Sequence, residues 1–231
     1  MAVAVIADAH VGGPGGDAAP LVAQLDALAV GACERLVLLG DLFQGWIGFR
    51  RFETPDIAAV TAALERLRAR GVRVDCIEGN RDFFLAGSAY AAAFDAVVPE
   101  VAFTAGGVRY LAIHGDGLDD RDWQYRFWRA ASKSWLSRQL VSRTPRRLAR
   151  RLVASTEERL SRTNFKHKVR IPEEVVRRYA ASRLAEGHDV LLLGHFHEEH
   201  RWTVPGGEVH LLEAWFTSRR IEWFPPPEAR P

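Results

Sequence analysis

The chain has 231 residues, 48% of them apolar and 26% charged, with only two cysteines. Those proportions describe one soluble globular domain, or one carrying a sizeable insertion. They exclude a disordered chain and a disulfide scaffold, and with no run of about 20 apolar residues they exclude a helical membrane protein. The formal charge of +2 averages two opposite parts: residues 121–183 hold 18 Lys and Arg against 5 Asp and Glu, and the remainder holds 13 against 24, so a basic module is set into an acidic body.

Val3–Ala7 reads as a strand that ends at Asp8; without a basic start or a long apolar run it is not a secretory signal. Pro20–Val30 reads as a helix burying Leu21, Leu25 and Leu28, Arg35–Leu39 as a second strand, Asp56–Arg70 as a helix stopped at Gly71, and Val72–Ile77 as a third strand. This βαβαβ order fits a parallel sheet covered on both sides, with the functional loops at the carboxyl ends of the strands. Cys33 and Cys76 sit in apolar segments with no C-x-x-C spacing and read as reduced, buried thiols of a cytosolic protein.

Val108–Ile113 is a further strand. From about Asp119 to Ala185 no strand pattern occurs, and three helices are expected. The first runs from Asp122 to Leu140, with Trp123, Phe127, Ala131 and Trp135 at steps of four. The second spans Arg146–Ala154 behind Thr144-Pro145, and the third runs from Pro172 to Ala185. Strand signals return at Val190–Leu193, Trp202–Val204, Val209–Leu212 and Ile221–Trp223, the middle pair joined across Pro205-Gly206-Gly207.

The strand ends carry residues suited to divalent metals: Asp8-Ala9-His10, Gly40-Asp41, Gly79-Asn80-Arg81-Asp82, His114-Gly115-Asp116 and Gly194-His195-Phe196-His197. A lone His at a strand end is ordinarily a hydrogen-bonded structural residue, but five clusters after five strands form a ligand set: Asp8, His10, Asp41, Asn80, His114, His195 and His197. Mixed imidazole and oxygen donors suit Mn, Fe, Zn or Co rather than Ca. Seven side chains exceed one ion's needs and fit two ions about 3.5–4 Å apart sharing a carboxylate, for which Asp41 is the natural bridge.

These motifs, D-x-H, G-D, G-N-[HR]-[DE], H-G-D and G-H-x-H, resemble those of the calcineurin-like metallophosphoesterases. The resemblance implies an α/β fold, a two-sheet β-sandwich flanked by helices (α/β/β/α) with a helical lid insertion. It implies that Asp8, His10, Asp41 and His197 hold one metal and Asp41, Asn80, His114 and His195 the other, with Asn80, Arg81 and His114 catalytic. The family usually has His where Arg81 stands. Arg does not give up its proton near neutral pH but clamps phosphate oxygens, which points to a leaving group that needs little protonation, such as the phosphate monoester released from a phosphoanhydride.

Gly79-Asn80-Arg81-Asp82-Phe83, Gly40-Asp41-Leu42-Phe43 with Trp46-Ile47-Gly48, His114-Gly115-Asp116-Gly117-Leu118 and Ala214-Trp215 resemble more narrowly the UDP-2,3-diacylglucosamine hydrolase branch. That resemblance implies cleavage of the substrate's pyrophosphate to lipid X and UMP, with two manganese ions, in lipid A synthesis at the cytoplasmic face of the inner membrane. Substrate contacts would come from Asn80, Arg81, His114, Asp122, Tyr125, Asn164, Lys168 and His195, with Lys166 an alternative to Lys168. The strings around Asn164 and after His197 depart from the branch pattern.

The core is expected at residues 1–118 and 187–231 and the basic lid at 119–186. Arg146, Arg147, Arg150 and Arg151 flank Leu148 and Leu152, as on a helix resting on anionic lipid, against the simpler reading of a solvated face. The stripe of Trp123, Phe127, Trp128 and Trp135 reads first as core packing and second as an acyl-chain chamber. Nucleic acid is a poorer match, because the arginines travel with Leu rather than with stacking aromatics, and no obligate protein partner is inferred. Two alternatives remain: a related metallophosphoesterase cleaving another phosphodiester or nucleotide pyrophosphate, and a non-catalytic scaffold, which the complete ligand set disfavours.

Overall fold

In the computed structural model, which describes residues 2–149, 151 and 171–226, two five-stranded sheets pack face to face. The first sheet has the order β12-β1-β2-β4-β6, with β1 (Val3–Ile6), β2 (Arg35–Leu38), β4 (Arg73–Ile77) and β6 (Ala96–Val98) parallel and β12 (Glu222–Phe224) antiparallel at the edge. The second has the order β10-β11-β9-β8-β7. Its central strands β8 (Val108–Ile113), β9 (Val190–Leu193) and β11 (Gly207–Leu211) are parallel, and β7 (Glu100–Ala105) and β10 (His200–Val204) are antiparallel edges. A short parallel pair, β3 (Trp46–Ile47) and β5 (Asp82–Phe83), links the loops that follow β2 and β4.

The uninterrupted apolar runs in the first sheet arise because its strands are buried on both faces. Ala4, Ile6, Leu36, Leu38, Val74 and Cys76 turn toward α1 (Ala18–Leu28) and α2 (Pro55–Ala69). Their sequence neighbours Val3, Val5, Val37, Leu39 and Ile77 turn toward Val101, Phe103, Tyr110, Ala112 and Leu192 of the second sheet. The sheet expected to be covered on both sides carries helices on one face and a second sheet on the other, as in the sandwich the family resemblance implied, because Val101, Phe103, Ala105, Tyr110 and Ala112 offer an apolar face of their own. Thr54 begins α2, its hydroxyl accepting from the Ile57 amide at 3.2 Å, a cap worth about 1 kcal/mol.

β7 was absent from the sequence reading, although Val101, Phe103 and Ala105 are buried in alternation with exposed Glu100, Ala102 and Thr104 and a Gly106-Gly107 hairpin follows. β6 and the β3–β5 pair were missed too, being only three and two residues long.

The expected helix over Asp122–Leu140 is two helices, α3 (Trp123–Ser132) and α4 (Trp135–Arg143). The Ser134 hydroxyl accepts from the Ser137 amide at 3.2 Å, so a cap at this position starts a new helix rather than continuing the old one. Residues 146–149 and 151 are helical after Thr144-Pro145, and the rest of the helix expected to Ala154 lies outside the described residues.

The Trp stripe is not core: Trp123 is 69%, Phe127 70% and Trp135 69% exposed. The basic side of α3 faces inward instead, where Arg129 and Lys133 meet Asp116 and Glu78, and this pairing turns the aromatic side outward. α5 (Glu173–Leu184), drawn with the lid on sequence, covers the outer face of the second sheet through Val176, Ala180 and Leu184. No helix among the described residues is long and apolar enough to cross a membrane.

Candidate metal centre

The clusters read from the sequence follow β1, β2, β4, β8 and β9, three strands of one sheet and two of the other, whose carboxyl ends meet at one edge of the sandwich. There the backbone leaves the strands abruptly: Asp8, His10, Asp41, His195 and His197 all have φ between 44° and 69°. The left-handed region costs a non-glycine residue on the order of 1–3 kcal/mol, so five such residues in one site must be held by their surroundings.

The holding bonds are visible. Asp8 Oδ2 accepts from the His195 amide at 2.8 Å and Asp41 Oδ1 from the Arg81 amide at 2.9 Å, while the His10 amide donates to the Asp41 carbonyl at 3.0 Å. Asp82 Oδ2 accepts from both the Asp41 amide, 2.8 Å, and the Gly79 amide, 2.9 Å. Asp82 thus joins two ligand loops. Gly40, at φ +90°, and Gly79 are required because a Cβ on the first would strike the His114 ring and one on the second the Asp41 carboxylate.

Two groups of donors result. In the first, His10 Nε2 lies 3.2 Å from His197 Nε2, and Asp8 Oδ1 lies 3.8 Å from the former and 3.5 Å from the latter. In the second, His114 Nε2 lies 3.1 Å from Asn80 Oδ1 and 3.7 Å from Asp41 Oδ1. Asp8, His10 and His197 have ligand atoms within 4.8 Å of one another, as do Asp8, Asp41 and His114. Asp41 turns Oδ1 to His114 and Oδ2 to His10, the latter at 4.0 Å, and so stands between the two groups, while Asp8 has a ligand atom within reach of both. The His195 ring stands edge-on to His114, 5.2 Å between centroids.

Charge in the centre is unbalanced. Burial works against the Asp8 carboxylate, yet the His197 imidazole beside it and the charges of His114 and His10 hold it below the usual range. Burial also opposes protonation of His114, but Asp41, Asp8 and Asp116 overcome it and push it up to about 9. His195 goes down to about 4 through burial and then the His114 charge, and burial pushes Asp41 up.

The residues fit a pair of divalent cations. Asp8 Oδ1 and His10 Nδ1 are buried without a hydrogen-bond partner, and the Nε2 atoms of His10 and His197 converge beside the Asp8 carboxylate. The His114 Nδ1–H donates to the Leu39 carbonyl at 2.8 Å, which turns Nε2 toward Asn80 and Asp41 as the ring's metal-binding atom. The donors are nitrogen and oxygen, as Mn, Fe, Zn and Co accept.

The remaining predicted contacts are spread out. Arg81 lies beside the bridge, Nε 3.5 Å from Asp41 Oδ2, with its side chain 15% exposed. Tyr125 donates its hydroxyl to Asp116, and Asp122 caps α3 by accepting from the Tyr125 amide at 2.9 Å. Asn164, Lys166 and Lys168 lie outside the described residues.

Sequence reasoning missed Arg129 and Lys133, which with Arg126 line a cleft of about 520 Å³ beside His114. Lys133 donates to the Gly79 carbonyl at 2.8 Å and Arg129 Nε to Asp116 at 2.7 Å. Their signal was the spacing 126, 129, 133 on one helix face. Phe216, also missed, packs edge-on against His10 and His197.

Residues 1–199 match the family of calcineurin-like phosphoesterases. Curated relatives named UDP-2,3-diacylglucosamine hydrolase include one from Ralstonia nicotianae, 30% identical over 78% of this chain and 71% of its own length, and one from Sodalis glossinidius, 32% identical over 80% and 77%. Among solved structures, a phosphopantetheinyl hydrolase from Mycobacterium tuberculosis aligns over 99% of this chain and 98% of its own at 15% identity and a TM-score of 0.48.

Proposed function

Because the chain belongs to the calcineurin-like phosphoesterase family, we propose that it hydrolyses the pyrophosphate bond of UDP-2,3-diacylglucosamine to lipid X and UMP. The observation that carries the anhydride reading is Arg81 at the bridging carboxylate, where a proton donor would serve an alkoxide leaving group. The names of the relatives supply the substrate.

Asp8, His10, Asp41 and His197 would hold one cation and Asp41, Asn80, His114 and His195 the other, with manganese the expected metal. Such a pair supplies a nucleophile from water near neutral pH and offsets charge on the phosphoryl oxygens. The chain's own groups do the rest. Arg81 clamps the equatorial oxygens of the attacked phosphate and keeps its proton, so the other phosphate departs as a monoester. Asn80 orients the same oxygens and steers His114, whose tautomer Leu39 fixes. Lys133, Arg129 and Arg126 face the cleft beside His114 and offset the negative charge of the substrate's phosphates.

The outward aromatic side of α3 and Trp135, Leu136 and Leu140 of α4 suit acyl chains and the surface of an anionic bilayer. This supports a peripheral position at the cytoplasmic face of the inner membrane, with α3 and α4 in the lid. The test is manganese-dependent UMP release from UDP-2,3-diacylglucosamine, run beside UDP-N-acetylglucosamine and bis-p-nitrophenyl phosphate. Preference for the acylated substrate is expected; cleavage of the generic diester alone would refute the lipid assignment and keep the two-cation centre.

A further inference from the structure

A second hollow of about 500 Å³ lies between α4 and the loops that follow β3 and β5, and it shares no lining residue with the cleft beside His114 or with the metal centre. Its wall holds Arg50, Arg51, Arg138, Arg143 and Arg146, together with Ser88, and among the described residues no acidic side chain. Among the described residues only Arg50 has a carboxylate partner, Glu53. Arg51 donates to the Thr144 carbonyl at 2.7 Å and Arg138 to the Ala86 carbonyl at 3.4 Å, both half-buried, and Arg138 also lies over the Phe49 and Phe84 rings. Neutral carbonyls and ring faces satisfy donors without offsetting charge.

Four uncompensated guanidinium groups around one hollow repel each other within a Debye length of about 8–10 Å, and an anion reverses the sign of that energy. The planar donor forks match the tetrahedral oxygens of phosphate. We propose that this pocket binds a phosphate group, as a monoester or diester, at a site separate from the metal centre. Alongside it on α4, Trp135, Leu136 and Leu140 are 69%, 66% and 73% exposed, so the phosphate of an anionic lipid headgroup reaches the pocket while its chains meet apolar side chains.

The experiment compares the metal-loaded protein with Arg143→Gln/Arg146→Gln, both exposed positions, and with Arg70→Gln/Arg201→Gln, which removes the same charge elsewhere. Each is titrated with glycerol 3-phosphate, and each is floated with vesicles of phosphatidylcholine alone or mixed with phosphatidylglycerol. Titrations are repeated on an Asp41→Ala background, so that phosphate held at the metal centre is counted separately. Hydrolysis of bis-p-nitrophenyl phosphate reports on folding and on the metal centre, and it should be unchanged in both double variants.

The expected result is saturable binding that survives Asp41→Ala and falls about tenfold or more in the pocket variant only. Binding of glycerol 3-phosphate identifies a soluble anion as sufficient. Binding confined to phosphatidylglycerol vesicles, lost in the pocket variant alone, identifies the lipid headgroup as the source. Equal loss in both double variants would mean diffuse surface charge and would overturn the proposal, as would the absence of saturable binding in both arms.

Discussion

Replacing Asp82 with alanine should weaken metal binding without touching a metal ligand. Asp82 is 1% exposed, and its Oδ2 accepts from the backbone amides of Asp41 and Gly79 at 2.8 and 2.9 Å. Alanine leaves both amides buried and unpaired, at about 1–3 kcal/mol each, so about 2–6 kcal/mol in all. In a chain of this size that lowers Tm by at least about 4 °C. The freed loops carry Asp41 and Asn80, and losing such a support typically costs about 10–100-fold in metal affinity.

Asparagine keeps an acceptor oxygen and should preserve most of both quantities. The pH dependence separates the two substitutions further. Burial and the Asp41 charge push Asp82 up to about 7, so in the metal-free wild type its ionisation costs stability as pH rises from the ordinary carboxylate range toward 7. The asparagine variant, which has nothing to ionise, should gain relative to wild type over that window. Manganese titration calorimetry and metal-free thermal melts at pH 4 and pH 7 read all three effects. Wild-type metal affinity and Tm in the alanine variant would refute the idea that Asp82 ties the two loops together.

Arg81→Lys keeps the charge but loses the fork, and it should lower kcat on the pyrophosphate substrate while leaving metal content intact; an unchanged kcat counts against the clamp. Asp95 is held below its usual range first by the hydrogen bond from Arg68, and it also accepts from the Val74 amide at 2.8 Å. Its contribution is present above the unfolded carboxylate pKa and lost as pH falls through the folded value, so Asp95→Asn should lower the urea midpoint at pH 7 and have little effect near pH 2. Cys33 and Cys76 are buried, and burial pushes the Cys76 thiol well up. A thiol reagent should find neither in the native protein and both in guanidinium chloride, and rapid native labelling would contradict the placement of β4.

The strands β1, β2, β4, β8 and β9, the helices α1, α2 and α5 and the places of the candidate donors after those strands were legible in the chain, because a parallel strand is a short apolar run and its functional residues come directly after it. Asp8, Asp41 and His195 could be named without knowing their neighbours. Which donors meet could not be read: Asp8 lies beside His197 only because two separate sheets end at one edge, a pairing across 189 residues that no local pattern encodes. The edge strand β7 was legible in hindsight from its alternation, whereas β3 and β5 form only because the loops after β2 and β4 are already held side by side.

The second sheet on the inner face of the first followed from the family resemblance and not from periodicity, since Val3 and Ala4 are equally apolar and the pattern does not say whether a helix or a sheet covers each. The direction of α3 was decided by electrostatics across the cleft. Composition shows a helix with one basic and one aromatic side, and the usual rule buries the aromatic one. Asp116, Glu78 and the Gly79 carbonyl lie where that helix lands, and they take Arg129 and Lys133 inward and leave Trp123 and Phe127 in the open. Residue types and their order determine which chemistry is available; the meeting of two sheet edges and the charge waiting at that edge determine where it is assembled and which side of the lid faces it.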